Sequence, residues 1–183
     1  MKTRKSLTAA ALVYRLVGSM AALLLANGTL TASTEEIPAP AVTLQQLMAI
    51  VITEASNQIW NAALLEPAAG ADKPSPTEEQ WATLRSAATT LLVTPTLMLH
   101  RSLAVAPPDA EAVESSLSPA AIAELRGNQW ALWAAQVSIL QQSAVAALNA
   151  IEARDYEATL QAGDTLYGVC DSCHTLFWYP EGQ

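Results

Sequence analysis

The residues best suited to chemistry lie near the C-terminus, in the segment Cys170-Asp171-Ser172-Cys173-His174. The chain has two cysteines, and both belong to this segment, three positions apart and followed directly by a histidine. A C-x-x-C-H segment is typical of covalent c-type haem attachment. The two thiols reach the two vinyl groups of one porphyrin edge, and the next imidazole binds the iron. The segment therefore predicts one covalent haem c, with Cys170 and Cys173 as its thioether residues and His174 as the proximal iron ligand.

Three other uses of the cysteine pair stay open at this point. A thiol–disulfide redox pair usually accompanies a βαβ pattern, which nothing in this sequence suggests. A structural zinc ion needs four ligands, and His100 is the one further histidine that could join Cys170, Cys173 and His174. A disulfide between Cys170 and Cys173, in a haem-free exported protein, is the third alternative.

Residues 1–28 have the form of a secretory signal peptide, with cleavage as late as residue 33 as a variant. Basic residues at positions 2, 4, 5 and 15 precede an apolar run of eleven residues, 16–26, and small residues follow. The run is shorter than the roughly 18 residues of an ordinary membrane span, which disfavours an uncleaved anchor. Export to the periplasm is predicted, and haem attachment to c-type cytochromes takes place outside the cytoplasm.

The predicted mature protein is strongly acidic. Four of the nine basic residues lie in the leader, so five remain against 17 acidic residues, a net charge of −12. This charge argues against nucleic acid and anionic membranes as partners. It suits a periplasmic redox partner with a basic docking face, and it also keeps an exported protein soluble.

The remainder of the chain has helical periodicity. Residues 29–42 form a flexible lead-in, because Pro38 and Pro40 keep the backbone extended. From residue 43 to 183, apolar residues recur at steps of three and four in four segments, which begin near Thr43, Thr77, Trp130 and Asp155. A long crossover, residues 100–117, and a short helical piece from Ser118 to Arg126 separate the second segment from the third. We predict an all-α fold, an antiparallel four-helix bundle with haem attached to the C-terminal helix.

The period also predicts which side chains face inward. On the first helix they are Leu44, Met48, Val51, Ala55, Ile59 and Ala62. On the fourth helix they are Tyr156, Leu160, Gly163, Tyr167, Cys170, His174 and Phe177. Cys170 and His174, one turn apart, are therefore predicted to share the inward face, with Cys173 on its flank.

This arrangement resembles the class II c-type cytochromes, the cytochrome c-prime family, which carry C-x-x-C-H near the C-terminus of a four-helix bundle. The matching segment is residues 162–178. The resemblance implies that the first helix supplies the residue over the distal face of the haem, a ligating methionine in low-spin members and an apolar residue in five-coordinate ones. Met48 is then the candidate distal ligand. A one-residue shift would substitute Ala49, and Met98 and His100 rank behind Met48.

The chain departs from the family pattern at two positions. Trp178 stands four residues after the motif histidine, where the family commonly has a basic residue. Gln45 stands where many members have an arginine near a haem propionate. The resemblance also implies a homodimer through the first two helices.

Three functions follow, and none is an enzyme. The first is one-electron transfer through a His-ligated haem. The second is a five-coordinate haem protein that binds nitric oxide or carbon monoxide, which requires Met48 to be packing only. The third is the haem-free protein with a disulfide.

Overall fold

A computed structural model describes residues 41–65, 75–112, 114–179 of the chain. These residues form α-, 3-10 and π-helices joined by loops, and the described ranges contain no strand. The prediction of an all-α fold is confirmed. The predicted signal peptide and nearly all of the lead-in lie outside the described residues.

Helix α1 contains three kinds of helical turn. It consists of α-helical Leu44–Gln46, π-helical Leu47–Ile52, α-helical Thr53–Trp60 and 3-10 Asn61–Leu64. A capping box fixes its start: the Thr43 hydroxyl accepts a hydrogen bond from the Gln46 N–H, and the Gln46 side chain accepts one from the Thr43 N–H.

Helix α2, Glu78–Val93, begins with a second capping box, between Thr77 and Gln80. The α-helix ends before Pro95, which has no N–H to continue it, and a 3-10 helix, Thr94–Leu99, follows. This 3-10 helix carries Met98 into the core, where its side chain is fully buried.

Helices α3, Pro119–Asn128, α4, Trp130–Glu152, and α5, Tyr156–Phe177, complete the described structure. Arg126 links α3 to the loop that precedes it. Its Nη2 donates a hydrogen bond of 2.7 Å to the Leu103 carbonyl of that loop. Between α4 and α5, Arg154 adopts a left-handed conformation with φ of 56°. The Asp155 N–H then donates to the Ala150 carbonyl at 3.0 Å, which closes the end of α4. Because this turn is tight, α5 packs against α4.

The core lies between four of these helices. Helix α4 contacts α2 and α5, and α1 contacts the same two helices. Trp133 and Phe177 meet edge to face in the core, with ring centroids 5.1 Å apart, and both side chains are fully buried. The rings link the start of α4 to the end of α5 and fix the antiparallel register of this pair.

The inward face of α1 differs from the predicted one because of the π-helical turns. Leu47 and Ile52 are buried, whereas Met48 and Val51 are only half-buried. The Thr53 N–H donates to the Met48 carbonyl, five residues earlier. A turn closed in this way holds an extra residue, so consecutive inward positions are five apart instead of three or four.

The predicted inward face of α5 is wrong at Tyr167, whose side chain is 62% exposed. The buried positions on this helix are Thr159, Ala162, Gly163, Leu166 and Phe177. These positions lie on a different side of the helix from Tyr167.

Helix α4 is the one helix in the described part of the chain whose length and composition would allow it to cross a membrane, with a mean hydropathy of 1.2 over its best 18 residues. A core helix has the same properties. Trp133, Val137, Ala144, Ala147 and Ile151 of α4 are buried in the protein interior.

Candidate functional site

A groove between the helices brings the predicted site residues together. The space inside it, including solvent at its open mouth, is about 570 Å³. Helices α1, α4 and α5 and the 3-10 helix after α2 line it. The lining residues are Met48, Ile52, Thr53, Ser56, Trp60, Met98, Gln136, Val137, Leu140, Val169, Cys170, Cys173 and His174.

Helix α5 presents both cysteines and the histidine to this groove. Cys170 lies seven residues after buried Gly163, and Cys173 lies seven residues after buried Leu166. Seven residues are close to two helical turns, so both thiols continue the inward line of the helix. Cys173 therefore lines the groove together with Cys170 and His174, rather than standing aside on the flank. The three side chains are half-buried, and both cysteines are free thiols.

Burial changes the protonation of these groups. Loss of solvent raises the pKa of the Cys170 thiol. It raises the pKa of Cys173 to about 12, with a smaller contribution from Cys170. Burial lowers the pKa of His174, and Asp171 opposes this shift. The imidazole is thus held in the neutral form that binds iron. Thiols used in disulfide exchange have depressed pKa values, so the raised values argue against that use.

The raised pKa of Cys173 predicts that its thiol reacts slowly in the folded, haem-free protein. The pKa of Cys173 is raised to about 12, against about 8.5 for an ordinary thiol. At pH 8 its thiolate fraction is therefore roughly a thousandfold lower in the folded protein than in the unfolded one. A haem-free Cys170→Ser variant loses the smaller contribution from Cys170 but keeps the larger one from burial, so the pKa of Cys173 stays raised. We expect iodoacetamide to alkylate Cys173 of this variant far more slowly before than after unfolding in urea.

The same pKa shift determines whether the free energy of unfolding rises or falls as the pH increases. A raised folded-state pKa favours the fold while the thiol is protonated, and this contribution is lost as the pH rises toward about 12. The free energy of unfolding of the haem-free protein should therefore fall at alkaline pH. Equal alkylation rates at pH 8 in the folded and unfolded states contradict both expectations.

Two hydrogen bonds place helix α1 beside helix α5. The Tyr156 hydroxyl donates to the Ala62 carbonyl at 2.7 Å, and Trp60 Nε1–H donates to the Gly163 carbonyl at 3.1 Å. The end of α1 thus lies at the start of α5, and the two helices are antiparallel. The last turns of α5, with His174, consequently lie beside the π-helical turns that contain Met48.

Met48 lines the groove from one of these π-helical turns, which often occur at functional sites. Ala49, the residue that a one-position shift would place there, is exposed and is not among the lining residues.

A second methionine lines the groove from another helix. Met98 is fully buried, and its carbonyl accepts a hydrogen bond of 2.9 Å from Trp133 Nε1–H. This bond and the surrounding core hold the backbone at Met98 in place. The groove thus contains two thioethers: one on half-buried Met48 and one on fully buried Met98.

His100 lies apart from the groove. Its Nδ1 is 2.8 Å from the Ser102 hydroxyl, and it is not a lining residue. This placement does not support the zinc alternative, which needs His100 beside the cysteines. Across the described residues, no group of three or more histidine, cysteine or carboxylate side chains is arranged to hold a bare metal ion.

Several lining residues were not singled out from the sequence. Ser56 is 2% exposed and belongs to the buried face of α1, so its helical spacing from Ile52 and Ile59 could have identified it. Gln136 follows Trp133 by three residues, and nothing local distinguishes it from Gln141 and Gln142 of the same helix.

Trp178 occupies the position where the resemblance implies a basic residue. Its ring centroid is 6.3 Å from that of His174, and the two planes are tilted by 58°. An indole at this distance adds apolar surface beside the imidazole instead of a positive charge.

No family model, curated protein or solved structure matches this chain. The resemblance to class II cytochromes therefore depends on the motif and on its position in the chain.

Proposed function

We propose that the chain is a periplasmic monohaem c-type cytochrome that transfers single electrons, built as an antiparallel four-helix bundle with the haem on its C-terminal helix. One observation carries the proposal: Cys170, Cys173, His174 and Met48 line the same groove. Two free thiols and a neutral imidazole are the donor set that covalent haem needs, and the groove lies between helices, where bundles place cofactors.

Each residue has a distinct role in this proposal. Cys170 and Cys173 would form the two thioether bonds, and His174 and Met48 would bind the iron. A His/Met ligand pair would raise the reduction potential and close the iron to exogenous ligands. When bound, the haem supplies a one-electron iron couple.

The rest of the groove controls water and polarity. Ile52, Val137, Leu140 and Val169 give it apolar walls, which exclude water from the metal's surroundings. Neutral His174 needs to lose no proton before it binds the iron, because burial already lowers its pKa.

A second candidate is a five-coordinate haem protein that binds nitric oxide or carbon monoxide. It is favoured by the hydroxyl side chains of Thr53 and Ser56, which line the groove on the same helix as Met48. Polar donors on the distal side stabilise bound diatomic ligands. In this candidate Met48 packs against the haem without binding the iron.

The proposal extends to localisation and partners. The signal-like N-terminus directs the protein to the periplasm, and the acidic mature chain meets a redox partner with a basic face. A homodimer through α1 and α2 would cover Ile50 and Val93, which are 68% and 57% exposed.

An absorption spectrum tests the function. The full chain is expressed with periplasmic haem-attachment machinery, and its intact mass and reduced spectrum are recorded with and without carbon monoxide. We expect the mass of one added haem and low-spin bands that carbon monoxide does not shift. A high-spin spectrum that shifts supports the gas-binding candidate. A mass without haem overturns both and leaves the haem-free protein with a disulfide.

A further inference from the structure

Two aromatic rings connect the groove to the protein surface. Trp60 of α1 lines the groove, and Tyr167 of α5 is 62% exposed. Their ring centroids are 5.9 Å apart, and the planes meet at 66°, an edge-to-face contact. One ring therefore touches the space proposed for the haem, and the other touches solvent.

The inner ring is held in place by the backbone of the facing helix. Trp60 Nε1–H donates to the Gly163 carbonyl at 3.1 Å. A Cβ built at Gly163 would lie 3.6 Å from Trp60 Cδ1, so the indole packs directly on the helix backbone. The pair is thus fixed at the contact between the helix that carries Met48 and the helix that carries the cysteines.

The outer ring lies next to the haem-attaching turn. Tyr167 precedes Cys170 by three residues, about one helical turn. Asp164 and Asp171 stand three residues before and four residues after Tyr167, and both are exposed. Helix α5 contains no lysine or arginine. An exposed aromatic ring between carboxylates suits a partner whose contact surface is basic.

We infer that Trp60 and Tyr167 form the place where electrons enter and leave the protein, and that a one-electron redox protein with a lysine-rich face docks at Tyr167. This inference rests on the proposed function. In the transfer, the reduced protein would give up one electron, and the oxidised partner would be reduced by that electron. No proton moves and no covalent bond forms or breaks. The two rings shorten the distance that the electron must cross through space between the groove and the partner, and they are not themselves oxidised.

The test is a rate of electron transfer with Tyr167→Ala. The reduced holoprotein is mixed in a stopped-flow instrument with an oxidised, lysine-rich class I cytochrome c at low ionic strength. An aromatic anchor at the centre of a contact contributes about tenfold or more, so we expect the second-order rate constant to fall about tenfold. The absorption spectrum and reduction potential should stay unchanged, because Tyr167 does not line the groove.

Two further variants make the test specific. Tyr167→Phe restores the ring and should restore the rate to within about twofold, since an edge-to-face contact needs no hydroxyl. Tyr179→Ala removes another exposed tyrosine, 44% exposed, and should leave the rate unchanged. Wild-type rates for Tyr167→Ala, or equal losses in all three variants, overturn the inference. A wild-type protein without haem instead overturns the proposed function, so the two failures are distinguishable.

Discussion

We expect replacement of both Cys170 and Cys173 by serine to yield a protein that carries no covalent haem. The proposed attachment consists of two thioether bonds, and these are the only cysteines of the chain. Serine is close to cysteine in size, and both side chains are half-buried, so the helical fold should persist. The measurement is haem staining of a denaturing gel, together with the intact mass of protein matured in a periplasm that attaches haem to a control cytochrome.

The two positions between the cysteines provide matched controls. Asp171 and Ser172 are exposed and line no part of the groove. Asp171→Asn and Ser172→Ala should therefore retain haem at the wild-type level. A stained band in the double serine variant, or loss of haem in the controls as well, contradicts the assignment of the thioether residues.

Local signals predicted where the helices begin. The pairs Thr43–Gln46 and Thr77–Gln80 have the spacing of a capping box, and both boxes form. The N-cap at Ser118 and the helix start at Pro119 depend in the same way on adjacent residues. Such signals can be predicted because each hydrogen bond is made within one turn of the chain.

The inward faces were harder to predict because they depend on packing over the whole helix. The expected face of α1 assumed about 3.6 residues per turn, and the π-helical turns break that period at Met48. On α5, Tyr167 matches the apolar spacing but lies outside the core, where it packs on Trp60. A tyrosine is suited both to a core and to a protein surface. Whether Tyr167 is buried therefore depends on the helix that packs against α5.

The groove itself combines predictable and unpredictable contributions. The C-x-x-C-H segment identified three of its side chains from spacing alone. Met98 reaches the groove from the 3-10 helix Thr94–Leu99. A 3-10 helix is wound more tightly than an α-helix, so its side chains point in different directions. Gln136 enters from α4 because of the register between α4 and α5, which long-range packing at Trp133 and Phe177 determines.

Met48→Leu should convert the holoprotein from low spin to high spin. Leucine nearly conserves the volume of methionine, and such an exchange usually costs less than about 1.5 kcal/mol of stability. It removes the sulfur, so the iron loses its proposed sixth ligand without a cavity opening in the groove. We expect reduced protein to bind carbon monoxide, and the reduction potential to fall because His/Met coordination is what raises it.

Met98→Leu is the matched control, since it removes the other thioether of the same groove. Met98 is fully buried in a 3-10 helix held by Trp133, whereas half-buried Met48 lies on the π-helical turns beside the end of α5. The spectrum of Met98→Leu should stay low-spin and unmoved by carbon monoxide. The reverse result, low spin in Met48→Leu and high spin in Met98→Leu, would assign the ligand to Met98. High spin in the wild type would mean that both methionines only pack, and the gas-binding candidate would then account for the groove.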